Sequence, residues 1–230
     1  MDKDRRDQET RLRLLKAAGE IFSKKGFRAA TIREICAKAG ANVAAVNYHF
    51  ESKKNLYLAV LNYAHEEALR RYPPELGLPE NPSPEDRLTA FVRAMLLRTL
   101  GRGKPAWHGR LMARERFEPT GFLDDFIDRA ILPRARIIQA IVAELLGPGA
   151  DDLTIHLCAQ SVTGQCRHYV SSRHVIRRIS PLISLEEPHL EDLARHIARF
   201  SLAGIRAFAA HAEPLQSREP QPEAPTGDFQ

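Results

Sequence analysis

Apolar positions recur at three- and four-residue steps along most of the chain, and alternating β-branched runs are few. This spacing is typical of amphipathic helices. In the first third of the chain it predicts a helix over about residues 10–25, short helices over 32–39 and 43–50, and a long helix from 53 to about 72. We therefore expect an all-α fold.

Prolines and a glycine interrupt the pattern between residues 73 and 82, and this stretch cannot lie inside one helix. It is the best domain boundary in the sequence. Beyond it the spacing predicts five further helices, over about 84–100, 106–116, 120–146, 151–173 and 187–211. Pro133 should kink or divide the third of them. The segment 212–230 has four prolines and few apolar residues, so it is predicted to be disordered.

Residues 31–50 predict two short helices around a tight turn that contains Gly40. Thr31 and Glu34 have the spacing of a capping box at the start of the first helix. Val43 and Val46 are expected to point inward from the second helix. This leaves five residues to face outward: Ala44, Ala45, Asn47, Tyr48 and His49. Two helices joined in this way describe a helix-turn-helix, whose second helix enters the DNA major groove.

The charge of the chain is unevenly distributed. The whole chain of 230 residues carries a formal net charge of +5. Residues 1–72 hold 15 Lys and Arg against 9 Asp and Glu, a net +6, whereas residues 73–230 hold 19 against 20, a net −1. The excess lies on the segment with the helix-turn-helix pattern, which favours DNA contact by this one module. The segment 1–9, in which basic and acidic residues alternate, is predicted to be a flexible arm, either solvated or reaching phosphate or the minor groove.

Several classes of protein are disfavoured by the sequence. No run approaches the ~20 apolar residues of a membrane span, and the first residues lack the apolar region of a signal peptide. Cys36, Cys158 and Cys166 form no CxxC motif, so a reducing cytoplasm is the expected compartment. We find no metal-ligand spacing and no catalytic or cofactor motif, and we expect no catalytic residue, metal or cofactor. A thiol redox sensor, an enzyme in the second domain, and a scaffold that uses the tail remain alternatives.

Many fixed spacings together resemble the TetR family of transcriptional repressors. They are Ala17-Ala18, Ile21-Phe22, Gly26-Phe27, Thr31-Ile32-Arg33-Glu34-Ile35, Ala39-Gly40, Tyr48-His49-Phe50, Lys53 and Leu56. This resemblance covers roughly residues 10–60. The stretch Asn42 to Phe50, together with Gly164-Gln165-Cys166, also resembles the subgroup related to the CecR regulators.

The resemblance implies a homodimer on a pseudo-palindromic operator of double-stranded DNA. It implies a DNA-binding domain over residues 10–56, a linking helix over 57–72, and a ligand-binding and dimerisation domain over 73–211. Thr31 matches a phosphate-contacting cap, and Ala44 matches a small residue beside the bases. The expected DNA-binding residues are Thr31, Arg33, Ala44, Ala45, Asn47, Tyr48, His49 and Lys53. Asn47 departs from the aromatic of many members, and an Asn can read adenine directly.

The second domain contains the candidate residues for a small-molecule effector. They are Trp107, His108, Arg110, Arg114, Phe117, Phe122, Gln165, His168 and Tyr169. The aromatic members either line a pocket or belong to the core, and Arg110 and Arg114 share a helical face that points either inward or to solvent. In the last helix, small residues around Ala194 and Ala198 permit either a dimer seam or burial within the chain. The predicted function is a ligand-responsive repressor that an effector releases from its operator.

Overall fold

The computed structural model describes residues 2–101, 107, 110–111, 114–115, 120–122 and 124–210. Over these residues the chain is helical with no strand, which confirms the all-α prediction. The helices are α1 (Asp2–Ala29), α2 (Ile32–Ala39), α3 (Val43–Phe50), α4 (Lys53–Arg71), α5 (Pro84–Leu100), α6 (Asp124–Phe126), α7 (Leu132–Leu146), α8 (Asp152–Ser171), α9 (Arg173–Ile179) and α10 (Leu190–Ala210). A π-helical segment, Ile127–Ile131, joins α6 to α7. No helix in this part of the chain is long and apolar enough to cross a bilayer.

Three features differ from the predicted helix boundaries. Helix α1 begins at Asp2, so it runs through residues for which the sequence predicts a flexible arm. It is interrupted near its end at Gly26, whose φ of 79° lies in a region that glycine tolerates. The predicted division near Pro133 is present, but the irregular segment precedes the proline, because proline is well accommodated in the first turn of α7. Helix α9 was not predicted.

The buried apolar side chains form two separate cores. The first is built on α1–α4, with Leu14, Phe22 and Tyr57 among its fully buried members. The second joins α5 to α7, α8, α9 and α10. The loop after α4 separates these helices in sequence, as predicted. Residues from the segment 107–130, however, return to the first core, so the two halves of the chain share a packed contact.

Helix α10 buries three of its small residues, Ala194, Ala198 and Ser201, within the chain itself. Ala194 and Ala198 are essentially inaccessible, and Ser201 accepts a hydrogen bond from Gln165 Nε2 at 3.0 Å. This matches the intramolecular alternative for these residues. Phe208, which the helical pattern grouped with them, is instead 51% exposed, and Phe200 is 66% exposed. The surface that α10 leaves open to a partner therefore contains these two aromatic side chains together with small residues such as Ala203 and Gly204.

Candidate nucleic-acid interface

The turn between α2 and α3 is fixed by caps at both ends of α2. Thr31 Oγ1 accepts from the backbone N–H of Glu34 at 3.2 Å, and the Glu34 carboxylate accepts from the Thr31 N–H at 3.1 Å. Lys25 donates a hydrogen bond to the same carboxylate, and this bond, with those from Thr31, holds the pKa of Glu34 below its ordinary value. Gly40 ends α2 in the left-handed region at φ 60° and ψ 43°. A residue with a Cβ adopts this conformation only at a cost, so the tight turn depends on Gly40.

Helix α3 is held by one capping side chain and two buried side chains. Asn42 caps it by accepting from the Ala45 N–H at 2.9 Å. Val46 is fully buried and Phe50 is 5% exposed, and these residues lie four apart on one face. The predicted inward position of Val43 is wrong, since its side chain is 45% exposed. Two contacts one turn apart anchor this eight-residue helix, and Val43 at its first position stays outside them.

The outward face of α3 carries the small and polar residues expected there. Ala44, Asn47 and Tyr48 are exposed, whereas Ala45 and His49 are half-buried. The Tyr48 hydroxyl donates to the carboxylate of Asp7 at 3.3 Å, so the beginning of α1 lies beside α3. The Asn47 side chain makes no hydrogen bond within the described residues, which leaves its amide available to another molecule.

The basic candidates differ in how freely they can reach a phosphate. Arg33 and the Thr31 cap are exposed. Lys53 is half-buried, donates to the backbone carbonyl of Arg28 at 3.2 Å and lies 4.7 Å from the centre of the Phe27 ring. Lys53 is therefore held at the C-terminal end of α1, where a cation is favoured.

The effector candidates near residue 107 lie against the DNA-binding helices. Trp107 is 3% exposed and packs on Gly19 of α1. The ring of Phe122 meets the edge of Phe27 at a centroid distance of 5.0 Å. Arg114 reaches Gly26, and Arg110 is exposed. His108 and Phe117 lie outside the described residues.

The remaining effector candidates lie elsewhere in the body. Gln165 bonds to Ser201, His168 is exposed with its Nδ1 3.3 Å from Ser172 Oγ, and Tyr169 packs against the second core. The structure thus does not bring this group together with Trp107 and its neighbours.

A buried polar contact between the two halves escaped prediction. Glu115 is 2% exposed, and its carboxylate accepts from the hydroxyl of Tyr57 on α4 and, at 3.2 Å, from the backbone N–H of Thr120. The only signal in the sequence was an acidic residue among aromatic ones. Because a buried carboxylate is costly without donors, this contact ties α4 to the segment that contains Trp107.

The cysteines carry no sign of reactivity. All three are free and buried. Burial raises the pKa of the Cys36 and Cys158 thiols, and it raises that of Cys166 to about 12. The thiolate is the reactive form, so these surroundings do not favour a redox sensor. The described residues also contain no cluster of His, Cys, Asp and Glu that could hold a metal ion.

Comparison with known proteins agrees with this arrangement. The model for bacterial regulatory proteins of the tetR family matches residues 14–60. The model for the C-terminal domain of the HTH-type transcriptional dual regulator CecR matches residues 84–205, more than half of the chain. Among curated proteins, CecR of Shigella flexneri is 27% identical over 169 residues, which cover 69% of this chain and 74% of CecR. The transcriptional repressor NicS of Pseudomonas putida is 24% identical over 209 residues, 86% of this chain and 92% of NicS.

Solved structures show the same fold. FadR from Bacillus subtilis, in complex with stearoyl-CoA, superposes with a TM-score of 0.64 at 15% identity, over 84% of this chain and 98% of FadR. AibR, in complex with isovaleryl coenzyme A and operator DNA, gives 0.58 at 17% identity, over 85% and 97% of the two chains. The capped helix-turn-helix, the second helical core and the two family matches agree, and the chain belongs to the TetR family of transcriptional regulators, with a C-terminal domain of the CecR type.

Proposed function

We propose that the protein is a homodimeric, ligand-responsive repressor that binds a pseudo-palindromic operator through α3. A small molecule bound in the helical body releases it from the DNA. The outward face of α3 supports the DNA contact, because Ala44 permits close approach to the bases and the unpaired amide of Asn47 can pair with the N6 and N7 groups of adenine. Tyr48 and Arg33 are exposed beside that face and are suited to phosphate contacts.

The observation that carries the ligand response is the shared core between body and DNA-binding domain. Trp107, Leu111, Phe126 and Ala130 follow the domain boundary in sequence, yet they pack with α1–α4. A rearrangement of the body therefore changes the packing beneath the helix-turn-helix. An effector acts through this contact only if it binds the two arrangements with unequal affinity.

The relatives support the same proposal. NicS is a named repressor, and the FadR and AibR structures contain acyl thioesters of coenzyme A. The proposed dimer would use the exposed apolar side chains of α8 and α10, namely Leu157, Phe200 and Phe208. A two-fold dimer presents two α3 helices to half-sites about one helical turn of DNA apart, or a multiple of it.

A selection of bound fragments from random duplex DNA tests the DNA proposal. We expect an inverted repeat, and an affinity that falls steeply as salt increases, because phosphate neutralisation dominates such binding. Asn47→Ala should relax the preference at one base of each half-site, at a cost of about 1–3 kcal/mol on the preferred sequence.

The matched control is Asn62→Ala on α4, which should leave the preference unchanged. Equal weakening by Asn47→Ala on all sequences would refute base readout by this residue. The effector proposal requires that ligands recovered with the purified protein lower operator affinity. If ligands that bind tightly to the protein all leave operator affinity unchanged, the ligand-responsive proposal fails.

A further inference from the structure

The beginning of α1 lies against helix α3. The Tyr48 hydroxyl donates to a carboxylate oxygen of Asp7 at 3.3 Å, and the guanidinium carbon of Arg11 lies 5.4 Å from the centre of the Phe50 ring. Asp7 and Arg11 are four residues apart, so both contacts come from one face of α1. The first turns of α1 therefore carry a carboxylate to the hydroxyl of a residue that is proposed to contact DNA.

The negative charge of Asp7 has no ionic partner among the described residues. No lysine or arginine in this part of the chain forms an ion pair with its carboxylate, whereas Arg5 in the same helix is paired with Glu9 at 3.2 Å. Tyr48 is 72% exposed, so a phosphate group that approaches its hydroxyl also approaches Asp7. Because both groups are negative, this approach costs free energy.

The hydroxyl of Tyr48 has a single proton to donate. An ionised carboxylate and a phosphate oxygen are both acceptors, so Asp7 and a DNA phosphate compete for that proton. The bond to Asp7 is longer than the ~2.7–2.8 Å that is typical of O–H···O hydrogen bonds. A phosphate can therefore displace the carboxylate, but the bond to Asp7 is then lost and the two negative groups are left side by side.

We propose that Asp7 limits the affinity of the protein for DNA by competing with phosphate for the hydroxyl proton of Tyr48. This inference rests on the proposed function, in which Tyr48 contacts the DNA backbone. Asp7 acts through Tyr48 and is a positioning residue that itself binds no part of the DNA. Binding to DNA of arbitrary sequence consists almost entirely of phosphate contacts, so the carboxylate restrains this non-specific binding.

Asp7→Asn tests the competition, because asparagine can reverse the direction of the hydrogen bond. Its amide can donate to the Tyr48 oxygen, which leaves the hydroxyl proton free for a phosphate. The measurement is the affinity of the full-length protein for a fluorescently labelled duplex of arbitrary sequence, by anisotropy at a fixed salt concentration. We expect Asp7→Asn to raise this affinity roughly fivefold or more, as a charge-assisted hydrogen bond is gained and a repulsion is lost.

Asp4→Asn is the matched control, since it removes the same charge from an exposed position one turn earlier in α1. It should raise the affinity less than about twofold, because exposed charges are screened. Tyr48→Phe separates the competition from the charge. Added to Asp7→Asn it should remove most of the gain, whereas alone it should change little, because in that protein the phosphate bond only replaces the bond to Asp7. Asp7→Ala removes the acceptor without adding a donor and should also raise the affinity, even if Asp7→Asn perturbs α1.

Equal gains from Asp7→Asn and Asp4→Asn would overturn the proposal, as would a gain that persists in full after Tyr48→Phe. Weaker binding by both Asp7→Asn and Asp7→Ala would also overturn it, because Asp7 would then support the DNA contact. Since the duplex has an arbitrary sequence, each of these failures leaves operator recognition by α3 intact. A gain that depends on Tyr48, in a protein that selects no inverted repeat, would instead contradict the proposed function and keep the role of Asp7.

Discussion

The contact between Gly19 and Trp107 permits a quantitative test of the packing between the body and the DNA-binding domain. A Cβ added to Gly19 would lie 2.5 to 2.6 Å from three carbon atoms of the Trp107 ring. Gly164 in α8 is also inside a helix, but a Cβ there would meet nothing within 4 Å. Gly19→Ala and Gly164→Ala are therefore the same change in a filled and an open environment.

The expected magnitudes follow from two opposing effects. Alanine is favoured over glycine inside a helix by about 1 kcal/mol, and both variants gain this amount. Overpacking a filled site costs about 1–3 kcal/mol, and only Gly19→Ala incurs it, because the ring has little room to move. Gly164→Ala should thus stabilise the protein by about 1 kcal/mol. Gly19→Ala should be less stable than Gly164→Ala by about 1–3 kcal/mol.

Urea unfolding at a fixed protein concentration measures both values, since the stability of a dimer depends on concentration. The Trp107→Ala background is the decisive control. In the Trp107→Ala protein the added methyl group has space, so Gly19→Ala should become stabilising. The coupling free energy between the two substitutions then equals the cost of the steric overlap with the indole ring. If Gly19→Ala destabilises equally with and without the indole ring, the cost does not arise from this contact and the reasoning is refuted.

Three further measurements test other parts of the structure. Tyr57→Phe leaves the buried Glu115 carboxylate without its hydroxyl donor and should lower the free energy of unfolding by about 1–3 kcal/mol, whereas Tyr63→Phe should have little effect. Burial is the main cause that raises the pKa of Tyr57, and the hydrogen bond to Glu115 adds to it. The stabilisation linked to this raised pKa is present below about pH 10 and is lost as the pH rises further. Tyr57→Phe should abolish that loss. Thr31→Ala removes the cap of α2 and should lower the free energy of unfolding, measured by thermal unfolding, by about 1 kcal/mol. An unchanged free energy would show that water replaces the cap. Cys166 should react with iodoacetamide much more slowly in the native than in the unfolded protein, and rapid native labelling that changed DNA affinity would restore the redox-sensor alternative.

Local signals account for what could be predicted in the first third of the chain. The capping box of Thr31 and the turn glycine Gly40 act over three or four residues, so α2 has the predicted bounds. The small and polar face of α3 follows from helical spacing once Val46 and Phe50 are buried. Val43 was the exception, because burial at the first position of a short helix depends on its neighbours in space.

The second half of the chain shows where sequence patterns are insufficient. Trp107 and Phe122 are apolar in either environment, and periodicity does not say which core an apolar side chain joins. The structure places them against α1 and Phe27, as part of the DNA-binding core. The same holds for α10, where Ala194 and Ala198 are buried in the chain while Gly204 and Phe200 stay exposed.

The helical class, the helix-turn-helix and the location of the basic charge follow from the order of residues alone, because caps, turns and periodicity are local properties. The return of Trp107, Leu111 and Phe126 to the DNA-binding core is visible only in the folded chain. The fold alone places Arg134 of α7 within 3.0 Å of His65 on α4, and Tyr57 of α4 against the carboxylate of Glu115. Such contacts join residues far apart in the chain, and their energies depend on burial and distance, which no spacing along the sequence encodes.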